Sequence, residues 1–225
     1  MNKYNVWSTP LWLESDRLAA LARLDILDTP PELAFEELAS LAAQLCDAPM
    51  AQINLIDADR QWSMAQFGLS EPDQPLELSL CAHSIHQPGG MIVDDLRGDP
   101  RFAKHPQVAG GAYLRFYASA LLESAGGPLG AICVLDVRPR HLSKRQIAAL
   151  ATLARQVVSQ LELRRAVAVQ RESEIRHVRQ QARQAFLLQL SDRLHDVVRA
   201  EDVVFNLGES LGAMLEIQRI GHGRY

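Results

Sequence analysis

The stretch YLRFYASALLES (113–124), AGG (125–127) and PLGAICVLDVRPR (128–140) decides the fold. Its first arm is rich in Tyr, Phe and Leu and its second in Val, Ile, Leu and Cys. Between them the Gly126-Gly127 pair lets the backbone take positive φ without a Cβ clash. This predicts a long antiparallel hairpin. On the second arm Leu129, Ala131, Cys133 and Leu135 share one face and Ile132 and Val134 the other. Both faces are apolar, so the arm is expected at the centre of its sheet.

Upstream, residues 50–57 and 61–67, joined by the polar turn Ala58-Asp59-Arg60, predict a first hairpin, and Met91-Ile92-Val93 a short strand. Residues 70–77, with Pro72 and Pro75, read as an exposed loop, and 106–111 as another. Residues 79–85 read as a short helix ended by Pro88-Gly89-Gly90, and the Asp, Gly and Pro of 94–102 as a structured turn. Two amphipathic helices come first. One spans 14–27 with Leu18, Leu21, Ala22 and Leu24 or Asp25 on a helical repeat; the other spans 31–47 with Phe35, Leu38, Leu41, Ala42 and Leu45. Five strands with hairpin or short connections, and helices before, between and after, make an α+β domain with a mostly antiparallel sheet.

After Arg140, Ser143 is the N-cap of a long helix. Ile147, Leu150, Ala154, Val157, Leu161, Arg164, Ala168, Arg171, Ile175, Val178, Ala182 and Ala185 alternate spacings of three and four, a heptad seam interrupted by two arginines. Residues 147–185 would span roughly 58 Å, too long and too polar on the other faces to be buried in one small domain. A parallel homodimeric coiled coil covers such a seam, with the apolar residues from Ile147 to Val178 as the dimer interface. Arg164 and Arg171 would either hold two packings close in energy or snorkel outward along the helix.

From Phe186 the pattern changes, with a helix break expected near Arg199-Ala200 and a first strand from Ile217. The expected organisation is therefore an N-terminal extension (1–13), one domain (14–142), a coiled-coil linker helix (143–185) and the truncated start of a second domain (186–225). A domain that stops one strand in implies a longer protein.

The composition fits a folded chain, with 48% hydrophobic and 22% charged residues in 225. The start carries no signal-peptide pattern and no segment reaches a membrane span, so a cytoplasmic protein without membrane contact is expected. The three cysteines, Cys46, Cys81 and Cys133, are widely spaced in apolar contexts and read as reduced thiols. Residues 1–140 carry a net −8 and residues 141–225 a net +4. The basic residues of the second part sit at helical spacing among Gln, Glu and Ala with no aromatics to stack on bases, which argues for a solvated helix face and against nucleic acid.

Taken in order, RLAALARLDILDTPPELAFEELASLAAQLCDAP, the DRQW turn, SLCAHSI, DDLRGDPRF, LRFYASALL and GPLGAICVLDVRPR resemble a bacterial GAF domain over residues 14–163. The resemblance implies a GAF/PAS-like central antiparallel sheet, helices on one side forming a dimer bundle, and a small-molecule cavity on the other. FLLQLSDRLHDVV with LGESLGAMLEIQRIGHGRY is similar to the start of a second GAF module of HWE-class sensor histidine kinases. His195-Asp196 within it also looks like a kinase phosphoacceptor box, but Gly208, Gly212 and the expected strand favour the GAF reading. Phytochrome-like members attach a bilin through a cysteine between the loop and the long hairpin; nothing from Ala109 to Leu114 supplies one. The resemblance leaves haem open with no residue to support it, and the cofactor is not named by the sequence.

Trp62, Cys81, His83, Arg115, Phe116 and Tyr117 are the candidate ligand-pocket residues. For Cys81 and His83 a packed thiol and a hydrogen-bonded imidazole weigh more than covalent chemistry, because no lysine stands beside them. His83 and His86 lack a third metal ligand at suitable spacing, and Asp94, Asp95 and Asp99 read as turn-capping side chains. No catalytic residue is assigned. The resemblance thus implies a non-enzymatic sensory module signalling through a dimeric coiled coil to a histidine kinase of a two-component system, absent from this chain. A diguanylate cyclase or phosphodiesterase output is the alternative. Of other classes, a methionine sulfoxide reductase needs two thiols that meet, whereas Cys46 and Cys133 are expected on other elements than Cys81; a ligand-free dimerisation scaffold also remains.

Overall fold

The computed structural model describes residues 12–69, 73–110 and 113–221, and in the last helix not the side chains of 190–198, 200, 206 and 213–221. The elements are α1 (Glu14–Leu24), α2 (Leu33–Leu45), β1 (Met50–Ile56), β2 (Arg60–Phe67), β3 (Gln74–Pro75), α3 (Leu80–Ser84), β4 (Ile92–Val93), α4 (Pro106–Ala109), β5 (Phe116–Ser124), β6 (Gly127–Asp136) and α5 (Lys144–Gly221). The strands form one antiparallel sheet in the order β3-β2-β1-β6-β5-β4. β6 therefore lies at the centre, as its two apolar faces require.

The sheet has one strand more than expected. β3 pairs Gln74 and Pro75 with Gln61 and Arg60 inside what reads as a loop; the proline is tolerated because the strand is at the edge. Residues 106–109 are a helical turn and no loop, with Pro106 in its first turn and His105 as N-cap, its Nδ1 accepting from the Gln107 amide.

Two layers cover the sheet. Behind it, Ala20, Leu21 and Leu24 of α1, Phe35, Ala39 and Ala42 of α2, and Leu150, Leu153, Ala154, Val157 and Leu161 of α5 pack on Ile53, Leu55, Phe116, Ile132 and Val134. In front, α3, the 94–105 turn and α4 place Leu80, Cys81, Leu96, Phe102 and Val108 over Ile56, Tyr117, Ala131, Cys133 and Leu135. Leu129 breaks the expected alternation and joins the rear layer. Leu121 pairs with Ala131 but Glu123 with Pro128, so β6 holds one extra residue there and the parity flips. Gly130 sits in this bulge, where a Cβ would come 2.0 Å from the Asn54 carbonyl oxygen. Of the turn pair, Gly127 takes φ +124.

The apolar stripe of α1 is rotated from the expected one: Ala22 is exposed, while Arg17 is buried at 1%. Its guanidinium donates to the Ile56 carbonyl and pairs with Glu14, so a charged side chain closes the end of β1.

Helix α5 corrects the seam. Leu150, Ala154, Val157 and Leu161 are between 0% and 2% exposed within the single chain, so their face is already covered by the domain's own core and offers a second copy nothing. Arg164 is also turned inward, its Nε 2.6 Å from Glu32 Oε1 and its Nη1 3.0 Å from the Asp25 carbonyl. Ile147, Leu163, Val167, Ile175 and Val178 are exposed, and Ala168 half-buried. Ser143 caps the helix as expected, accepting from the Gln146 amide. The helix is continuous through Arg199-Ala200 and on to Gly221, where a break and a strand are expected. Gly208 lies inside it, at the cost of roughly 1 kcal/mol that a helical glycine carries. The expectation for His195 falls on side chains outside the described ones, and that for residues 1–11 outside the described residues. The chain divides into two compact units, 1–166 and 167–225.

Candidate functional site

On the front of the sheet, β1 turns Gln52 and Asn54 toward α3, since their neighbours Ala51, Ile53 and Leu55 fill the rear layer. Both are buried, at 4% and 0%. Asn54 Nδ2 lies 3.3 Å from Cys81 Sγ, 3.8 Å from Cys133 Sγ and 3.1 Å from Gln52 Oε1, while Ser63 Oγ donates to Asn54 Oδ1 at 2.9 Å. Tyr117 Oη donates to Cys81 Sγ at 3.2 Å, and the two sulfurs are 3.7 Å apart. Further along, Ser84 Oγ and Ser119 Oγ are 2.6 Å apart, and Ser119 also accepts from the Met91 amide. The result is a buried layer of amides, hydroxyls and thiols, and none of these side chains is charged. Gln52 Nε2 is buried there and meets no acceptor.

The electrostatics follow from this packing. The hydrogen bond shared with Cys133, and those donated by Tyr117 and Asn54, hold the Cys81 thiol below its ordinary range against the opposing effect of burial. Burial and the neighbouring sulfurs push the Tyr117 phenol well up, so it stays a donor. Cys46, in the rear layer, has no such donors, and burial pushes it to about 11.

The expected pocket residues separate. Cys81 and Tyr117 meet in the front layer; Trp62 and Phe116 lie in the rear core. Phe116 and Tyr117 are consecutive in a strand and so point to opposite faces. Trp62 is opposite Leu55, after a bulge in β2, and shares its rear orientation. His83 sits edge-on to Phe102, ring centroids 5.3 Å apart, at the rim of the front layer. Arg115 is on the surface with its Nε 2.7 Å from Asp95, whose carboxyl it holds below the usual range. The sequence reading missed Gln52, Asn54, Ser84, Ser119 and Cys133. For Gln52 and Asn54 the signal was a polar residue at every second place of a strand otherwise apolar on both faces. Cys81 on α3 and Cys133 on β6 do lie on different elements, as expected, yet their sulfurs meet.

Beside α3 a cleft of about 540 Å³ is lined by Trp12, His86, Gly89, Leu121, Glu123 and Gly126 among others. Trp12 stacks on His86 across it, ring centroids 5.6 Å apart. Among the described residues no group of three or more His, Cys, Asp or Glu side chains is arranged to hold a metal, and no helix is long and apolar enough to cross a membrane.

The chain belongs to the GAF domain family, whose model matches residues 30–161. It is 37% identical over 150 residues to a cyclic di-GMP phosphodiesterase of Pseudomonas aeruginosa, a match covering 66% of this chain and 26% of that protein. The chain thus spans about a quarter of that relative. Its fold is similar to the GAF domain of a phosphoenolpyruvate-protein phosphotransferase from Coxiella burnetii, at TM-score 0.52 and 15% identity over 69% of this chain and 98% of that one. It is similar as well to the free methionine-R-sulfoxide reductase of Neisseria meningitidis, at TM-score 0.51 and 17% identity over 70% and 98%. At these identities the likeness is one of fold.

Proposed function

We propose that this GAF domain is a ligand-responsive input module that takes a small polar molecule between the sheet and α3 and passes its state through α5 to an output domain. The observation that carries this reading is the uncharged hydrogen-bonding layer at the middle of the sheet, with Gln52 Nε2 buried and unsatisfied. Burying an amide without an acceptor costs free energy that a ligand carbonyl or hydroxyl would recover. A layer without charges suits a neutral ligand, because a buried ion would have no counter-charge.

The Pseudomonas relative supports cyclic di-GMP turnover as the output, ahead of a histidine kinase, which rests on the HWE-like character of residues 186–225. Helix α5 would join two copies through exposed apolar residues such as Leu163, Ile175 and Val178, in the cytoplasm.

Grafting this chain into the Pseudomonas phosphodiesterase, in place of the segment it matches, tests the reading. Cyclic di-GMP hydrolysis by the chimera should shift when Asn54→Leu disturbs the front layer and stay unchanged with the surface substitution Lys104→Ala. Equal rates for both variants would remove the regulatory role.

A further inference from the structure

We propose that Cys81 and Cys133 are a reversible dithiol site, closed to a disulfide by a hydroperoxide. Their sulfurs are already in contact at 3.7 Å, and a disulfide needs about 2.05 Å. The difference can come from α3. That helix has five residues and lies on the sheet surface, whereas β6 is held by β1 on one side and β5 on the other.

The surroundings divide the roles. Tyr117 Oη and Asn54 Nδ2 both donate to Cys81 Sγ, which favours its thiolate and makes it the attacking group. Cys133, beside it on the rigid strand, is the resolving thiol. Cys46 lies in the other layer with its thiol pushed to about 11, so the pair is selective among the three cysteines.

Cys81 sulfur attacks the outer oxygen of the hydroperoxide, the O–O bond breaks, and the departing alkoxide leaves as the alcohol with the Cys81 proton. Cys133 sulfur then attacks the resulting sulfenic acid; the S–O bond breaks and hydroxide leaves as water with the Cys133 proton. Two thiols lose two electrons, and the peroxide is reduced to alcohol and water. A small dithiol restores the pair by exchange. The product ties α3 covalently to the central strand. This site does not depend on the ligand reading.

The test uses the whole chain, reduced, freed of reductant and treated with hydrogen peroxide, then digested without reduction for peptide mass spectrometry. The wild type should yield a Cys81–Cys133 cross-linked peptide that dithiothreitol dissolves. Cys46→Ser should do the same, and Cys133→Ser should leave a sulfenic acid at Cys81 that dimedone traps. Three free thiols after peroxide, sulfinic acid at Cys81 without a cross-link, or a bridge through Cys46 would each overturn the proposal.

Discussion

Asn54 shows how one residue sets the character of the front layer. It sits on β1, between Ile53 and Leu55 of the rear core, and bonds Gln52, Cys81, Cys133 and Ser63. The alternation on β1 was legible, whereas the partners were not, because Cys81 comes from a helix 27 residues on and Cys133 from a strand 79 residues on. The separation of Phe116 from Tyr117 follows from strand period alone; grouping them as one lining took composition over geometry. At the rim, burial first, and then the charges of His105, His86 and Arg101, lower His83 to about 4. The unfolded chain therefore binds more protons between about 6.5 and 4, and stability falls as pH drops through that window. His83→Gln should flatten this acid slope in urea unfolding measured from pH 7 to 4. Burial lowers His86 and His105 too, so part of the slope should survive. An unchanged slope would show that His83 does not titrate in a buried place.

At the scale of elements, α5 is where the sequence misled. A run of Leu150, Ala154, Val157 and Leu161 at spacings of four and three fits a heptad seam and a helix laid on a sheet equally well, and only the presence of a sheet face to cover decides. The element order and both hairpins were legible because their periodicity is local. The β2 and β6 bulges and the two-residue β3 were not, since each depends on a partner strand. The assignment makes a measurable difference: Val157→Asp should cost about 3 kcal/mol or more, by placing an unpaired carboxylate in the core. Thermal melting of residues 1–166 would report it. A variant that melts like the wild type would return Val157 to an intermolecular seam.

For the whole molecule, dimerisation must be tested beyond the core. Cutting at Arg140 would remove Leu150 to Leu161 and unmake the rear layer, so loss of the dimer there would say nothing about the seam. Ending the chain at Ala166 keeps the first compact unit intact. Light scattering should then give a dimer for the full chain and a monomer for residues 1–166; two dimers would place the interface on the domain itself.

The sheet is one residue thick, and this gives β6 a mechanical property. Cys133 faces the front layer, while Ile132 and Val134, its immediate neighbours, lie in the layer shared with α5. Nothing but a peptide unit separates the two sides. A tilt of this strand about its own axis, set by whatever α3 grips in front, would be felt as a displaced footing under α5 behind. Such a strand would act as a rocker, and its stiffness, set by hydrogen bonds to β1 and β5, would fix how much of a movement on one side arrives on the other.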